Sequence, residues 1–281
     1  MTQLISSTQN PLIKHIVRLQ QKASVRRQEK SLIVEGRREA SLAIASGLSV
    51  GKLFYCPEIY TEDPHYPIHW LKQSNMADRP VDLNLIQVSR EVYNKMAYRS
   101  NLEGVLIMAS MPEIRPERFL PGSSPLIMVL EGIEKPGNLG AIMRTADAAG
   151  VSAVVLADAR TDVYNPNVIR SSLGCVFNLP VFSFSASEAM AWLKQLSQTL
   201  PLPLSIFSAV VQAERSAFEV SMKGPLALVF GAEDTGLSKA WREPPFVPVR
   251  IPMAGKIDSL NLSASVAILC FEAVRQRLTA H

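Results

Sequence analysis

The second part of the chain is built from short apolar runs in which polar and apolar positions do not alternate. From Leu126 onwards these runs are LIMVLEGI, AVVLADA, LPVFSF, LSIFSAV and LALVFGAE. Strands that are covered on both faces have this pattern, whereas strands exposed on one face alternate. Helical patterns separate most of the runs: NLGAIMRTADAAG, NPNVIRSSLG and SASEAMAWLKQLSQ. The repeated order of strand and helix predicts an α/β domain with a parallel sheet covered on both sides.

The first part of the chain predicts a smaller α/β unit. Asn10-Pro11 is a helix-start signal, because a capping residue precedes a proline at the first helical position. The stretch SLIVEGRREASLAIASG indicates a strand that runs into a helix, and KLFYC, LIQVS and GVLIMAS indicate further strands. The segment MPEIRPERFLPGSSP has four prolines in fifteen residues, which is typical of a linker. We therefore predict an N-terminal domain at residues 1–110, a linker at 111–124 and a second domain at 125–281.

The charge of the chain is concentrated near its N-terminus. The net charge is +4, and residues 10–40 alone carry eight basic and three acidic side chains. On the helix predicted after Asn10, basic residues repeat at intervals of four: Lys14, Arg18, Lys22 and Arg26. Like charges at this spacing weaken an isolated helix by a few tenths of a kcal/mol per pair. The stripe indicates a polyanionic partner that neutralises it, although a solvated helix face is the alternative.

Other features of the composition predict what the protein lacks. Its three cysteines lie far apart without CxxC spacing, and none of its four histidines has a metal-like set of partners. Neither disulfides nor a metal site are expected. No apolar run approaches the roughly 18 residues of a membrane span, and the opening residues resemble neither a signal peptide nor a transit peptide. The sequence therefore predicts a cytoplasmic protein.

The first of three candidate ligand loops is EKPGNLGAIMRTA at residues 134–146. Open α/β sheets bind ligands in loops that follow the carboxyl ends of their strands. Gly137 and Gly140 would allow backbone to approach a ligand, and Asn138 can cap the helix. Arg144 lies two turns further on roughly the same face, where its guanidinium could hold a phosphate or a developing oxyanion. A surface ion pair between Arg144 and Asp147 is the alternative.

The other two loops are FGAEDTGLS at residues 230–238 and IPMAGKIDSLNLSAS at residues 251–265. The glycines and the acid of the former are compatible with a turn that cradles a ligand. In the latter, Asp258 or Ser259 can cap a long helix that ends near Arg277. One capping residue satisfies only one or two of the free amides. Ser259, Asn261 and Ser263 together therefore predict a recognition surface.

A nicotinamide dinucleotide site is a rival interpretation of the first loop. LIMVLEGIEKPGNLG is similar to the start of a dinucleotide-binding unit, and Asp158 follows Gly140 at about the distance of a ribose-binding acid. However, the sequence offers only GNLG where the fingerprint requires GxGxxG.

Taken together, the three loops resemble the motifs of the SpoU, or TrmH, branch of the SPOUT RNA methyltransferases. The stretch PGNLGAIMRTA matches the first motif, an FGxExxGL pattern matches the second, and IPMAGKIDSLNLSASVAILCFE matches the third. The resemblance covers residues 125–278. It extends more loosely to residues 1–110, which resemble a ribosomal-protein-like RNA-binding domain through ISSTQNPLIKHI and the VEGRREA element.

The resemblance implies a trefoil-knotted α/β domain and a homodimer in which each active site is completed across the interface. It also implies S-adenosylmethionine as the cofactor, bent inside the knot, and no metal. The residues implied to hold the cofactor are Gly231, Ala232, Ile251, Met253, Leu260 and Ser263.

The methyl acceptor implied by the resemblance is a ribose 2'-hydroxyl of RNA. The residues implied to act on it are Asn138, Arg144, Glu233, Ser259 and Asn261. Arginine at its usual pKa is a poor base, so Arg144 is expected to stabilise the developing alkoxide.

The N-terminal domain directs our expectation to large-subunit (23S) ribosomal RNA. Its expected RNA contacts are Lys14, Arg18, Lys22, Arg26, Arg37 and Arg38. Transfer RNA is the alternative substrate, and a catalytically inactive knotted RNA-binding protein is the alternative function.

Overall fold

The computed structural model describes residues 3–60 and 84–279. These residues form two compact units. One unit comprises the described residues up to Glu113 together with Tyr164–Asn178, and the other comprises Ile114–Val163 and the described residues from Leu179 onwards.

The N-terminal unit contains a five-stranded mixed sheet. Its elements up to Ser110 are β1 (Gln3–Ile5), α1 (Pro11–Gln21), α2 (Ala23–Glu29), β2 (Ser31–Glu35), α3 (Arg37–Ala45), β3 (Val50–Tyr55), β4 (Asn84–Val88), α4 (Arg90–Met96) and β5 (Val105–Ser110). The strand order is β1-β4-β3-β5-β2. The β1–β4 and β3–β4 pairs are parallel, and β5 is antiparallel to both of its neighbours. The strands predicted from the apolar runs of this unit are confirmed.

The predicted start of α1 is also confirmed, but its predicted length is wrong. Asn10 caps the helix, accepting a hydrogen bond of 2.9 Å from the backbone N–H of Leu12, and Pro11 is the first helical residue. The basic stripe suggested that one helix continues past Lys22. The backbone of Lys22 is instead extended, at φ −120° and ψ 109°, and a separate helix, α2, follows. The spacing of exposed basic residues in α1 therefore does not continue into α2, where Arg26 is buried.

The second unit is built on a six-stranded parallel sheet. The elements after the first 125 residues are β6 (Leu126–Glu131), α5 (Pro136–Ala148), β7 (Ala153–Ala157), α6 (Pro166–Ser171), β8 (Val181–Phe184), α7 (Ala186–Thr199), β9 (Ser205–Ala209), β10 (Leu226–Phe230), β11 (Val247–Val249) and α8 (Leu262–Leu278). Of these, α6 belongs to the N-terminal unit by its contacts. The strand order is β11-β9-β10-β6-β7-β8, and every pair is parallel.

The parallel sheet confirms the α/β fold predicted from the apolar runs. Every residue of β6, β7 and β10 is buried, as expected for strands covered on both faces. The short strand β11 was not predicted. It contains Pro248 and lies at the edge of the sheet, which is where a strand tolerates a residue without a backbone N–H.

Part of the predicted linker packs on the core of the second unit. Residues Pro116–Arg118 form a short 3-10 helix. The ring of Phe119, which follows, lies 5.6 Å from the ring of Phe182 and 5.8 Å from that of Trp192, measured between centroids. This segment is therefore part of the second unit, not a free connection. No helix among residues 3–60 and 84–279 is long and apolar enough to cross a membrane.

Candidate active site

All three predicted loops leave the carboxyl edge of the parallel sheet, and the first two follow strands that are direct neighbours. Strands β6 and β10 are parallel neighbours, with Phe230 paired to Leu130. The loops after them therefore emerge side by side, although about 100 residues separate them along the chain. This is the edge at which open α/β sheets bind ligands.

The first loop delivers its predicted site residues on α5. The helix begins at Pro136, and Lys135 is its N-terminal flanking residue. The prediction that Asn138 caps this helix is therefore wrong, because Asn138 lies within the first turn. Its side chain remains half-buried at the helix start, while Arg144 is exposed two turns further on. Both side chains are thus available to a ligand.

The second loop is a compact turn. The backbone N–H of Gly236 donates to the carbonyl of Ala232 at 2.9 Å. A Cβ atom added to Gly231 would lie only 2.2 Å from the carbonyl carbon of Gly236, so a side chain at this position would displace the backbone opposite. The two ends of the turn are therefore closely packed, and Glu233 lies between them.

An ion pair joins the first and second loops. The Nζ of Lys135 lies 2.9 Å from Oε2 of Glu233, and the Lys135 side chain is 70% exposed. Hydrogen bonding to the Glu233 carboxylate raises the pKa of Lys135 above its ordinary value. The contact places Glu233 next to the start of the helix that carries Asn138 and Arg144.

The third stretch lines a small cavity at the carboxyl ends of β9 and β11. The residues that line it include Ile251, Met253 and Leu260, three of the six residues predicted to hold the cofactor. The remaining walls are formed by Ala209, Val210, Val211, Val249 and Ser265. Gly231, Ala232 and Ser263, also predicted to hold the cofactor, are not among the residues that line this cavity.

The polar cluster before α8 is largely explained by helix capping. Asn261 is the capping residue, and its Oδ1 accepts hydrogen bonds from the backbone N–H of Ser263 at 2.9 Å and from the Ser263 hydroxyl at 2.6 Å. The prediction that Asp258 or Ser259 caps the helix is wrong, because both lie before this position. Ser259 and the backbone of Leu260 form the approach to the cap, and Ser259 is exposed. The cap accounts for Asn261 and Ser263 but not for Ser259, so the recognition surface predicted from the three side chains together stays a prediction.

The predicted RNA contacts differ widely in exposure. Lys14, Arg18, Lys22 and Arg38 are exposed. Arg37 is half-buried: it donates a hydrogen bond of 2.8 Å to the Tyr60 hydroxyl and lies 4.7 Å from the centre of the Tyr60 ring.

Arg26 contradicts its predicted role as an RNA contact. It is only 2% exposed. Its Nη1 donates to the carbonyl of Leu19 at 2.5 Å and to that of Gln20 at 2.9 Å. These carbonyls belong to the last turn of α1, where intrahelical partners run out. The guanidinium therefore completes the end of a helix, and the predicted four-residue stripe is reduced to three exposed cations.

Sequence reasoning missed several residues of this region. Glu131 ends β6, and its carboxylate binds Ser238 of the second loop. Lys135 lies in the first motif without having been assigned a role, and Val210 and Ser265 line the cavity. In the sequence, Glu131 is recognisable only as an acid at the end of an apolar strand, and Lys135 only as a cation beside a helix start. Among the described residues, no group of three or more His, Cys, Asp or Glu side chains could hold a metal ion.

Comparison with known families assigns both parts of the chain. Residues 125–271 match the SpoU rRNA methylase family, and residues 10–107 match the MRM3-like substrate-binding domain. A parallel sheet with an apolar cavity and a helix start at its carboxyl edge is the arrangement of a ligand-binding α/β enzyme.

Individual relatives agree with these family matches. The chain is 32% identical, over 98% of its length and 95% of the relative, to an uncharacterised tRNA/rRNA methyltransferase of Synechocystis sp.. It is 30% identical, over 70% of its length and 80% of the relative, to the 23S rRNA (guanosine-2'-O-)-methyltransferase RlmB of Vibrio parahaemolyticus. The solved structure of the SpoU methyltransferase AviRb from Streptomyces viridochromogenes, in complex with AdoMet, is 27% identical over 97% of this chain and all of that chain, with a TM-score of 0.85.

The chain therefore belongs to the SpoU rRNA methylase family. The resemblance found in the three loops is confirmed, and so is the predicted enzyme class, an S-adenosylmethionine-dependent RNA methyltransferase.

Proposed function

We propose that the chain transfers the methyl group of S-adenosylmethionine to a ribose 2'-hydroxyl of 23S ribosomal RNA. The observation that carries the proposal is the cavity lined by Ile251, Met253 and Leu260. It lies at the ligand-binding edge of the sheet, and part of its lining comes from the stretch that the family resemblance assigns to the cofactor. The similarity to RlmB supports the choice of ribosomal RNA.

The lining of this small cavity suits the apolar parts of the proposed cofactor. Alanine, valine, isoleucine, methionine and leucine side chains dominate the walls, and apolar walls suit an adenine ring and the methylene groups of methionine. Leu260 and Met253 approach from the segment before α8, while Val210 and Val211 follow β9. We propose that backbone groups around Gly231 and Ile251, together with Ala232 and Ser263, supply further contacts. When bound, S-adenosylmethionine supplies an activated methyl group.

The residues of α5 and the second loop would act on the acceptor. Arg144 is exposed on α5 and would stabilise the negative charge that develops on the 2'-oxygen, with an RNA phosphate accepting the proton. Asn138, Glu233, Ser259 and Asn261 would shape the acceptor pocket. Asn261 already holds the start of α8 with its side-chain oxygen, so its contribution to RNA would come from the remaining amide nitrogen.

The N-terminal unit would supply RNA affinity through phosphate contacts. Lys14, Arg18, Lys22 and Arg38 are exposed and can therefore neutralise phosphates. Arg37 would present its guanidinium together with the Tyr60 ring. The match of residues 10–107 to a substrate-binding domain supports this division of roles.

The remaining expectations from the resemblance are proposals of the same kind. They are a trefoil knot in the second domain, a homodimer whose active sites are completed across the interface, and a cytoplasmic location. We also propose the domain division at residues 1–110, 111–124 and 125–281, in which the 111–124 connection packs against the second domain through Phe119.

The proposal is tested by transfer of labelled methyl from S-adenosylmethionine to total RNA from cells that lack this gene, followed by nucleoside analysis. We expect a labelled 2'-O-methylnucleoside in 23S ribosomal RNA. Label in transfer RNA would overturn the substrate, and label on a base would overturn the chemistry.

The Arg144→Ala variant should bind the cofactor in calorimetry yet lose most of its turnover. Binding of NAD in place of S-adenosylmethionine would revive the dinucleotide interpretation, and failure to bind either would favour the inactive RNA-binding protein.

A further inference from the structure

A buried carboxylate connects β6 to the second loop. Glu131 is the last residue of β6 and is 9% exposed. Its Oε2 accepts a hydrogen bond of 2.7 Å from the backbone N–H of Ser238, and its Oε1 accepts one of 2.7 Å from the Ser238 hydroxyl. The two residues are 107 positions apart in sequence. The side chain of one active-site strand therefore holds the loop that follows another.

A carboxylate at this place requires a physical reason, because burial of a charge is costly unless it is hydrogen-bonded. Ser238 precedes a short 3-10 helix at Lys239–Arg242, whose first amides lack internal partners. Glu131 binds the N–H of the flanking residue Ser238 instead, through a charge-assisted bond about twice as strong as a neutral one. The fully buried Trp241 follows in the same helix, and its carbonyl accepts a hydrogen bond of 2.6 Å from the Ser208 hydroxyl. The end of the loop is thus fixed on two sides.

Fixing Ser238 also restricts the part of the loop that carries Glu233. The backbone of Gly231 packs closely against Gly236, and Ala232 and Gly236 are hydrogen-bonded to each other. Because these contacts close the loop, the short segment between Ala232 and Gly236 has little freedom once Ser238 is held. The ion pair of 2.9 Å between Lys135 and Glu233 then sets the direction of the Glu233 side chain.

We propose that Glu131 and Lys135 are positioning residues for methyl transfer. Glu131 anchors the base of the second loop, and Lys135 orients Glu233 at its tip, beside the helix start that carries Asn138. Neither residue needs to touch RNA or cofactor. The inference rests on the proposed function, because it assigns these two residues to the acceptor side of that reaction.

The test compares turnover in full-length variants with the methyl-transfer assay described above. Glu131→Met removes both acceptors at nearly constant volume, and we expect kcat to fall at least about tenfold, since small misplacements of reacting groups have effects up to about a hundredfold. The KM for RNA should stay within about threefold, because phosphate contacts elsewhere supply most of the affinity. Glu131→Gln should retain most of the activity, since its amide can accept from the Ser238 N–H and donate to the hydroxyl. Glu117→Gln is the matched control: this exposed acid lies outside the three loops and should leave kcat unchanged.

A double-mutant cycle distinguishes positioning from general damage. If Lys135 acts through Glu233, Lys135→Met should lower kcat in the wild-type background but add less than about twofold to Glu233→Gln. Lys135 is 70% exposed, so its substitution should not unfold the protein even if Glu131→Met does. The inference would be overturned if the effects of Lys135→Met and Glu233→Gln on kcat multiplied in the double variant. It would also be overturned if both Glu131→Met and Lys135→Met kept the wild-type kcat. Lack of methyl transfer by the wild-type protein would instead refute the proposed function.

Discussion

Replacement of Arg26 by methionine should destabilise the N-terminal unit without removing an RNA contact. The guanidinium is 2% exposed and donates to the carbonyls of Leu19 and Gln20 at 2.5 and 2.9 Å. A hydrogen bond with one charged partner contributes about 1.5–3 kcal/mol. Both bonds share Nη1, so we take the lower value for each, which gives a loss of about 3 kcal/mol. Methionine fills a similar volume but leaves both carbonyls without this donor.

Hydrogen exchange of the full-length protein measures this loss locally. A decrease of about 3 kcal/mol corresponds to exchange about a hundredfold faster for amides of α1 that exchange by unfolding of the unit. Filter binding of RNA across a salt series provides the second readout. Lys22→Met is the matched comparison, because Lys22 is exposed and lies only four residues earlier. It should leave the free energy of unfolding within about 0.5 kcal/mol and lower the salt slope by about 0.7–0.9.

The two variants should therefore differ in which property they change: Arg26→Met lowers stability, and Lys22→Met lowers the salt dependence of RNA binding. Arg26→Met should accelerate amide exchange in α1. RNA binding by the molecules that remain folded should keep the wild-type salt slope. The reasoning would be refuted if Arg26→Met kept full amide protection and lowered the salt slope as Lys22→Met does. That result would place Arg26 on the RNA surface, as its spacing in the sequence suggests.

Three further substitutions test other parts of the molecule. Burial raises the pKa of Glu35 above its ordinary value, so folding favours its protonated form, and its contribution to stability is complete below pH 4.5 and is lost as pH rises through the raised pKa. Chemical denaturation should therefore show Glu35→Gln gaining stability relative to wild type over that range, whereas a stability difference that does not change with pH would contradict this reasoning. Gly231→Ala should abolish methyl transfer by displacing the second loop, while Gly224→Ala, whose added Cβ meets nothing within 4 Å, should remain active. Equal activity of the two variants would contradict the close packing of Gly231 against Gly236. Phe119→Ala should cost about 1–2 kcal/mol of unfolding free energy in thermal denaturation, whereas Leu120→Ala, at a 91% exposed position, should be neutral, and equal costs would show that Phe119 is not packed on the core.

The parts of the fold that could be predicted depend on short-range patterns. The strands β6, β7 and β10 are buried on both faces, so their sequences are apolar except for the terminal Glu131, and they can be recognised as strands without knowledge of their neighbours. The start of α1 is equally local, because Asn10 and Pro11 act on the turn that follows them. The family motifs are continuous stretches for the same reason, since each follows one strand.

The features that were predicted wrongly depend on contacts remote from the local pattern. Basic residues spaced by four are compatible with one continuous helix, and nothing in that spacing reveals the break at Lys22 or the burial of Arg26. Asp258, Ser259 and Asn261 are all good capping residues. Which one caps α8 is decided by where the preceding segment joins the helix, and this depends on the fold. Glu131 could not be assigned for the same reason, because its partner lies 107 residues away.

The order of strands places the proposed donor and acceptor regions side by side. The cavity proposed for the cofactor lies at the ends of β9 and β11, whereas Asn138, Arg144 and Glu233, proposed to act on the acceptor, lie on the segments that follow β6 and β10. Because β9 and β10 are hydrogen-bonded neighbours, the two regions adjoin along one edge of the sheet. A methyl group can be transferred only if donor and acceptor are held in contact, and effective alignment supplies much of the rate. The tethers of Glu131 and Lys135 fix the second loop, which follows β10 on the boundary between these regions. Their loss should therefore reduce turnover more than it reduces the affinity for either substrate.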